Sequence, residues 1–369
     1  TFITRSGIVA SVHSFGQSSL GWIFLVFLGI VFLISSTLLI YRLPQLRSKN
    51  QLDSLLSKES SFLYNNLLIV GIAFTILWGT LFPIISEAVR GVKITVGPPF
   101  FNTVVTPIAL ALLLLTGVCP LFAWRKSSLK NFAEKFLFPS LVSVLGAAVL
   151  YLSGIRSFYS LISFTLCIFV LVSLFLEFFQ GTRTRHSLAG ENYLKALWNL
   201  VARNKRRYGG YIVHLGIVLI FVAISGSAFD TEEQVTVKKG ESFNIKGYTL
   251  RYDSLSNYPT ANKHTVAATL TLFNEGHKVG VLVPEKSLYK GQEQMTTDVA
   301  IHTTLKEDLY VILAGYEKDS VTFKILVNPL VVWLWIGGGI MAFGAVIVMF
   351  SDRKKRRKIV SDEKGKEGR

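Results

Sequence analysis

Tyr211-Ile-Val-His-Leu-Gly-Ile-Val-Leu-Ile-Phe-Val-Ala-Ile224 lies inside an apolar run, residues 208–227, long enough to cross a bilayer. A spanning helix needs about 20 predominantly apolar residues at a rise of about 1.5 Å each. The stretch therefore reads as a membrane span, and its histidine, His214, is the informative residue. An ionisable side chain at membrane depth is costly and faces a protein interior, a cavity or a cofactor. Neutral imidazole is also a common ligand of haem iron and other metals.

Working outward, further runs of the same kind occupy 20–41, 62–81, 103–122, 136–152, 159–178 and 330–350, which with 208–227 makes about seven spans. Half of the 369 residues are hydrophobic, too many for an ordinary soluble domain. The formal charge of +16 is confined to alternate connections. Arg42, Arg47, Lys49 and Lys58 follow the first span, and Arg125, Lys126, Lys130 and Lys135 follow the third. Arg183, Arg185, Lys195, Arg203, Lys205, Arg206 and Arg207 precede 208–227, and Arg353 to Lys358 form a basic tail. The short loops between them carry few, Arg90 and Lys93 in one and Arg156 in another. This is the positive-inside pattern, with the N-terminal segment outside and the C-terminus cytoplasmic. It explains the charge without nucleic acid, which is not expected as a partner.

Between the sixth and seventh spans the pattern changes. Residues 234–238, 248–252, 265–273, 279–283, 309–313 and 321–326 alternate apolar and polar side chains, with turn signals at Lys239-Gly240 and Asn274-Glu-Gly276. That is the period of half-buried strands. The expected fold is a polytopic α-helical membrane protein with one extracytoplasmic, β-rich, barrel-like domain before the last helix. The expected organisation is an external segment over 1–19, six spans over 20–228, the β domain over 229–328, the last span over 329–350 and a basic cytoplasmic tail over 351–369. Cys119 and Cys167 both fall in spans and read as buried thiols rather than a disulfide or a metal pair. Gly97-Pro98-Pro99 cannot continue a helix and marks a break before the third span. Gly209, Gly210 and Gly216 would let a flat macrocycle or a neighbouring helix come close to the sixth span.

Several local sequences point to one family. They are Thr4-Arg-Ser-Gly7 followed by Ser11-Val-His-Ser-Phe15, and Trp78-Gly-Thr-Leu-Phe-Pro83. Gly97-Pro-Pro-Phe-Phe-Asn102 and Arg206-Arg-Tyr-Gly-Gly-Tyr-Ile-Val-His-Leu-Gly216 add to these, as does Asp308-Leu-Tyr-Val-Ile-Leu-Ala-Gly315 leading into Val327-Asn-Pro-Leu330. Over nearly the whole chain, and in this order, they resemble CcmF, the haem lyase subunit family of the bacterial cytochrome c maturation system. The paralogous haem lyase subunit devoted to cytochrome c nitrite reductase shares the pattern. The family's tryptophan-rich external loop is missing: Trp22, Trp78, Trp124, Trp198, Trp333 and Trp335 do not form it. The chain thus looks like the C-terminal portion, either a fragment or one member of a split protein.

The resemblance implies two haem groups. His13, in the external segment, matches an axial ligand of the haem in transit, and His214 matches an axial ligand of a structural haem b within the membrane. Their partner histidines would lie in the tryptophan-rich N-terminal half. Arg5, Arg90 and Lys93 are candidate propionate partners, with plain interfacial charge as the rival reading. The implied activity is that of a holocytochrome c synthase-type haem lyase, forming thioethers with the Cys-x-x-Cys-His motif of apocytochrome c. The implied partners are that N-terminal half, the haem carrier CcmE, CcmH- or CcmI-type apocytochrome-handling proteins, and quinol as electron donor. The implied location is the bacterial inner membrane. A haem transporter and a docking scaffold are the alternatives. His186, cytoplasmic among arginines, and His264, His277 and His302 in the β domain say little, and most are expected at the surface.

Overall fold

The computed structural model describes residues 20–46, 57–122, 129–290, 294–317 and 320–350. The chain divides into two compact units, Thr1–Leu137 and Phe138–Arg369. Among the described residues, seven helices are long and apolar enough to cross a membrane.

In the first unit, α1 (Leu20–Leu46) is exposed along almost its whole length. Helix α2 (Lys58–Arg90) starts at Ser57, whose hydroxyl accepts the Ser60 N–H, with Glu59 in the first turn where the helix dipole favours a carboxylate. It ends on Gly91 at φ 65°, the left-handed position that glycine adopts without a Cβ penalty. Pro83, just beyond the apolar run 62–81, lies inside α2. Apolar membrane helices tolerate such a proline because neighbouring groups re-satisfy the freed carbonyl. Helix α3 (Pro98–Val118) begins at the Pro98-Pro99 pair, whose missing N–H groups cost nothing in a first turn. Phe100 and Phe101 sit directly against Gly79 of α2, where an added Cβ would fall 2.6 Å from the Phe101 ring.

Helix α4 (Leu129–Leu152) leads to the second unit, where α5 (Phe158–Ala189), the short α6 (Tyr193–Arg203) and α7 (Lys205–Gly226) follow one another. After the β domain, α8 (Val332–Met349) runs back along α7. Their seam is made by glycine. A Cβ on Gly216 would lie 2.5 Å from the Gly337 carbonyl oxygen, and one on Gly209 would crowd Gly344. The i, i+7 spacing of both pairs keeps the two backbones in contact over two turns.

The β domain holds two antiparallel sheets. One has the order β1-β10-β9-β8, from Thr231–Lys238, Ser320–Pro329, Glu307–Tyr316 and Ala300–Thr303. The other runs β2-β3-β4-β6-β7, from Ser242–Ile245, Tyr248–Pro259, Lys263–Asn274, Glu285–Tyr289 and Thr296–Asp298, with β5 (His277–Leu282) also paired to β4. The barrel-like expectation takes the form of a sandwich. Val321, Phe323, Ile325 and Val327 alternate into the core while Thr322 and Lys324 stay partly exposed, the period that made the segment legible as a strand. Leu250, Leu270 and Leu272 meet them from the facing sheet, and the Tyr252 and Phe323 rings meet edge-on with centroids 5.7 Å apart.

Candidate functional site

His214 sits in α7, two and a half turns from the helix start. One face of α7 carries Gly209 and Gly216 against α8. His214 lies on the opposite side, on the stripe Arg207, Tyr211, His214, Val218 and Ser225, which faces α5. The seam with α5 can be followed pair by pair. Ser225 Oγ donates to Ser163 Oγ at 2.6 Å, and the Cys167 thiol reaches the Val218 carbonyl at 3.8 Å. Toward the basic end, the Tyr211 hydroxyl donates to Glu177 Oε2 at 3.2 Å.

Glu177 is the one carboxylate in the apolar run of α5 and is 8% exposed. It is paired to the Arg207 guanidinium, which also donates to the Tyr211 hydroxyl at 3.0 Å. Phe178, Tyr208 and Tyr211 enclose this network with ring contacts, and the Tyr211 ring lies 6.5 Å from the His214 ring. A buried ion pair of this kind is tolerated because each partner is further hydrogen-bonded. The sequence held one clue to it, an acid placed inside the run 159–178, and no motif.

Two buried polar atoms of the α5–α7 pair, His214 Nδ1 and Ser173 Oγ, have no hydrogen-bond partner among the described residues. The antiparallel pairings 163 with 225 and 177 with 211 put Ser173 and His214 at about the same level of the seam. A buried imidazole nitrogen without a partner costs free energy unless something else engages the ring. That is the one feature of the site that fits a ligand at His214, since a buried ring with an unengaged nitrogen is open to an iron or another partner.

The other candidates are placed differently. His13 and Arg5 lie outside the described residues. Arg90 closes α2 and Lys93 lies in the connection after it, both exposed in the first unit, whereas His214 belongs to the second. Gly209 and Gly216 are spent on the contact with α8, and Gly210 faces open space. His264 and His277 are exposed; His302 is half-buried beside Tyr248, with ring centroids 6.3 Å apart. Cys167 is buried and Cys119 half-buried, and no cluster of three metal-binding side chains occurs among the described residues. His186 is engaged locally, its Nδ1 2.6 Å from the Glu191 carbonyl oxygen and its ring stacked on Tyr193.

Residues 228–329 match the family described as the CcmF C-terminal beta-sandwich. The cytochrome c-type biogenesis protein CcmF of Pseudomonas aeruginosa is 31% identical over 97% of this chain and 54% of its own length. That of Pseudomonas fluorescens is 30% identical over 98% of the chain and 53% of its own length. A solved structure titled Cytochrome c Heme Lyase CcmF shares the fold with a TM-score of 0.70 at 22% identity, covering 92% of this chain and 52% of that one. The chain spans about half the length of the relatives it matches. In its apolar helices, its β-sandwich and its alignment, the chain is similar to the C-terminal portion of these CcmF proteins.

Proposed function

We propose that this chain is a haem-binding part of the haem lyase that attaches haem to the Cys-x-x-Cys-His motif of apocytochrome c. The observation that carries the proposal is His214, an imidazole in a helix long and apolar enough to cross a membrane, whose buried Nδ1 has no partner among the described residues. His214 would help to hold the iron of a haem b, with a second ligand supplied by a tryptophan-rich N-terminal half. Bound there, the haem contributes a redox-active iron. The work of this chain's own residues is orientation. The glycine seam fixes α7 against α8, so the face bearing His214 is turned toward α5. The Tyr211 ring, beside His214, limits movement of the imidazole, and the Glu177–Arg207 pair holds Tyr211.

His13 would hold the haem in transit outside the membrane, with Arg5, Arg90 and Lys93 as propionate partners. Thioether formation adds a cysteine S–H across a haem vinyl group, so the protein need only bind and align the reactants. Electrons that keep the iron reduced would come from quinol. The carrier CcmE and CcmH- or CcmI-type proteins would deliver haem and apocytochrome. The alternation of basic loops supports an inner-membrane orientation with the β domain outside.

The test is to produce the chain with its upstream half, purify the assembly and compare absorption spectra of the parent and His214→Ala. A reduced b-type spectrum lost in the variant is the expected result. Haem retained unchanged in His214→Ala would sink the assignment and make His214 a packing residue.

A further inference from the structure

Helix α6 has three faces. Ala196 and Leu200 are buried, Leu200 lying over Gly181 of α5 beside Tyr208 of α7. Lys195, Asn199 and Arg203, spaced by four, make a polar stripe, and Asn199 ties it to Glu191, which is itself bridged to Arg185. On the remaining face stand Leu194, Leu197, Trp198 and Val201. Leu194 is 78% exposed and Trp198 76%. The apolar arc is therefore much wider than the part that α5 and α7 cover.

The position of α6 says what covers the rest. The apolar run of α5 ends at Phe179, and Gly181, where Leu200 packs, lies only about 3 Å further along the axis. Tyr193 at the other end of α6 stacks on His186, about 7 Å further out. The helix thus slopes down to the membrane surface at the basic end of the spans, with Trp198 in its lower half. Arg183, Lys195 and Arg203, all exposed, surround it with positive charge. An apolar face bearing tryptophan, beside a basic face and level with the end of a span, fits the boundary of a negatively charged leaflet.

We propose that α6 is an in-plane interfacial helix. It seats Leu194, Leu197, Trp198 and Val201 among the lipids of an anionic phospholipid leaflet, with Lys195 and Arg203 at the phosphates. Asn204 both ends α6 and begins α7, so the depth of α6 sets the height of α7 and of the side chains it carries. The proposal rests on the chain's crossing the membrane and is independent of haem.

The experiment uses nitroxide labels at Leu194→Cys, Lys195→Cys and Trp198→Cys, one at a time, in the full chain with Cys119→Ala and Cys167→Ala. The protein is reconstituted in nanodiscs of phosphatidylcholine with phosphatidylglycerol. Collision with oxygen, which concentrates in lipid, is compared with collision with a water-soluble nickel chelate. The expected oxygen-to-nickel ratio at 194 and 198 is several-fold above that at 195. It should fall at 198 when Lys195→Gln and Arg203→Gln are combined or when phosphatidylglycerol is omitted. Equal ratios at the three sites would place α6 in water and overturn the proposal. Labels at 194 and 198 that are immobile and reached by neither reagent would mean that a protein covers the face, and would overturn it too. A label at Phe175→Cys, 66% exposed within the α5 span, separates the premises, since a water-like ratio there defeats the spanning reading itself. None of these readings depends on haem content, so the fate of His214 as a ligand is decided separately.

Discussion

At the scale of single residues, the seam between α5 and α7 combines one group that lacks a partner with another that depends on its partners. Glu177 is buried and held by Arg207 and Tyr211. Glu177→Ala should leave the guanidinium without its counter-charge. Because Arg207 is half-exposed, water screens part of the loss, and the expected destabilisation is about 1–2 kcal/mol rather than that of a fully buried pair. Thermal unfolding in detergent checks it, with Glu177→Gln, which keeps the hydrogen bond to Tyr211, falling in between. In the β domain, Asp308 and Asn328 are register partners, and each has a buried Oδ1 without a donor among the described residues. Burial pushes the Asp308 carboxyl above the usual carboxylate range, against the opposing pull of Thr303 and His302. The folded state therefore holds this proton more tightly than the unfolded chain. The associated stability is present in full below the unfolded carboxylate range and is lost as pH rises through the raised value. Asp308→Asn should flatten that loss in urea unfolding measured from acid to neutral pH, and an unchanged pH profile would show that the Asp308 carboxyl titrates alike in the folded and the unfolded chain. His214 stood out in the sequence because it interrupts an apolar run. Asp308 did not, because its partner is twenty positions away and only the strand register brings the two together.

At the scale of elements, the spans were legible and their ends were not. Hydropathy reports the thickness of the bilayer, whereas helix ends are set by caps. The run 62–81 belongs to a helix, Lys58–Arg90, that a serine cap starts early and a left-handed glycine stops late. The same limit applied to the glycines of α7. Composition allowed Gly209, Gly210 and Gly216 to serve either a cofactor or a helix, and the structure divides them: two meet α8 and one faces open space. A paired substitution tests that division. Gly216→Val should drive α7 from α8, because its Cβ would lie 2.5 Å from a backbone oxygen that cannot rotate away. The cost expected is at least the ~1–3 kcal/mol of an overpacked core, seen as a lower unfolding temperature and poorer yield. Gly210→Ala meets nothing within 4 Å and should be neutral or slightly stabilising, since alanine favours the helix. Equal damage from both would mean that the α7–α8 seam is not where the glycines act.

At the scale of the whole chain, the β-sandwich is an insertion between two helices that are themselves packed together. β1 and β10 pair from Thr231 with Val327 to Lys238 with Ser320, so the segments entering and leaving the sandwich lie side by side. They continue directly into α7 and α8, where Gly226 touches the Pro329 carbonyl. The remaining ties are few and local. Lys246 donates to the Phe229 carbonyl, the Leu330 N–H to the Lys306 carbonyl and the Trp333 indole to the Leu305 carbonyl. By contrast the core, from Val237 through Leu250, Leu272 and Phe323 to Val327, is drawn wholly from the sandwich. A unit with its own closed core and adjacent termini should fold without its helices. Residues 228–329, produced alone, are therefore expected to be monomeric and strand-rich by circular dichroism and to unfold in one cooperative urea transition. A fragment that aggregates or melts gradually would mean that the helices complete the core. If it folds, the excised sandwich becomes the reagent for asking which cytochrome maturation proteins it meets, apart from any haem held in the membrane.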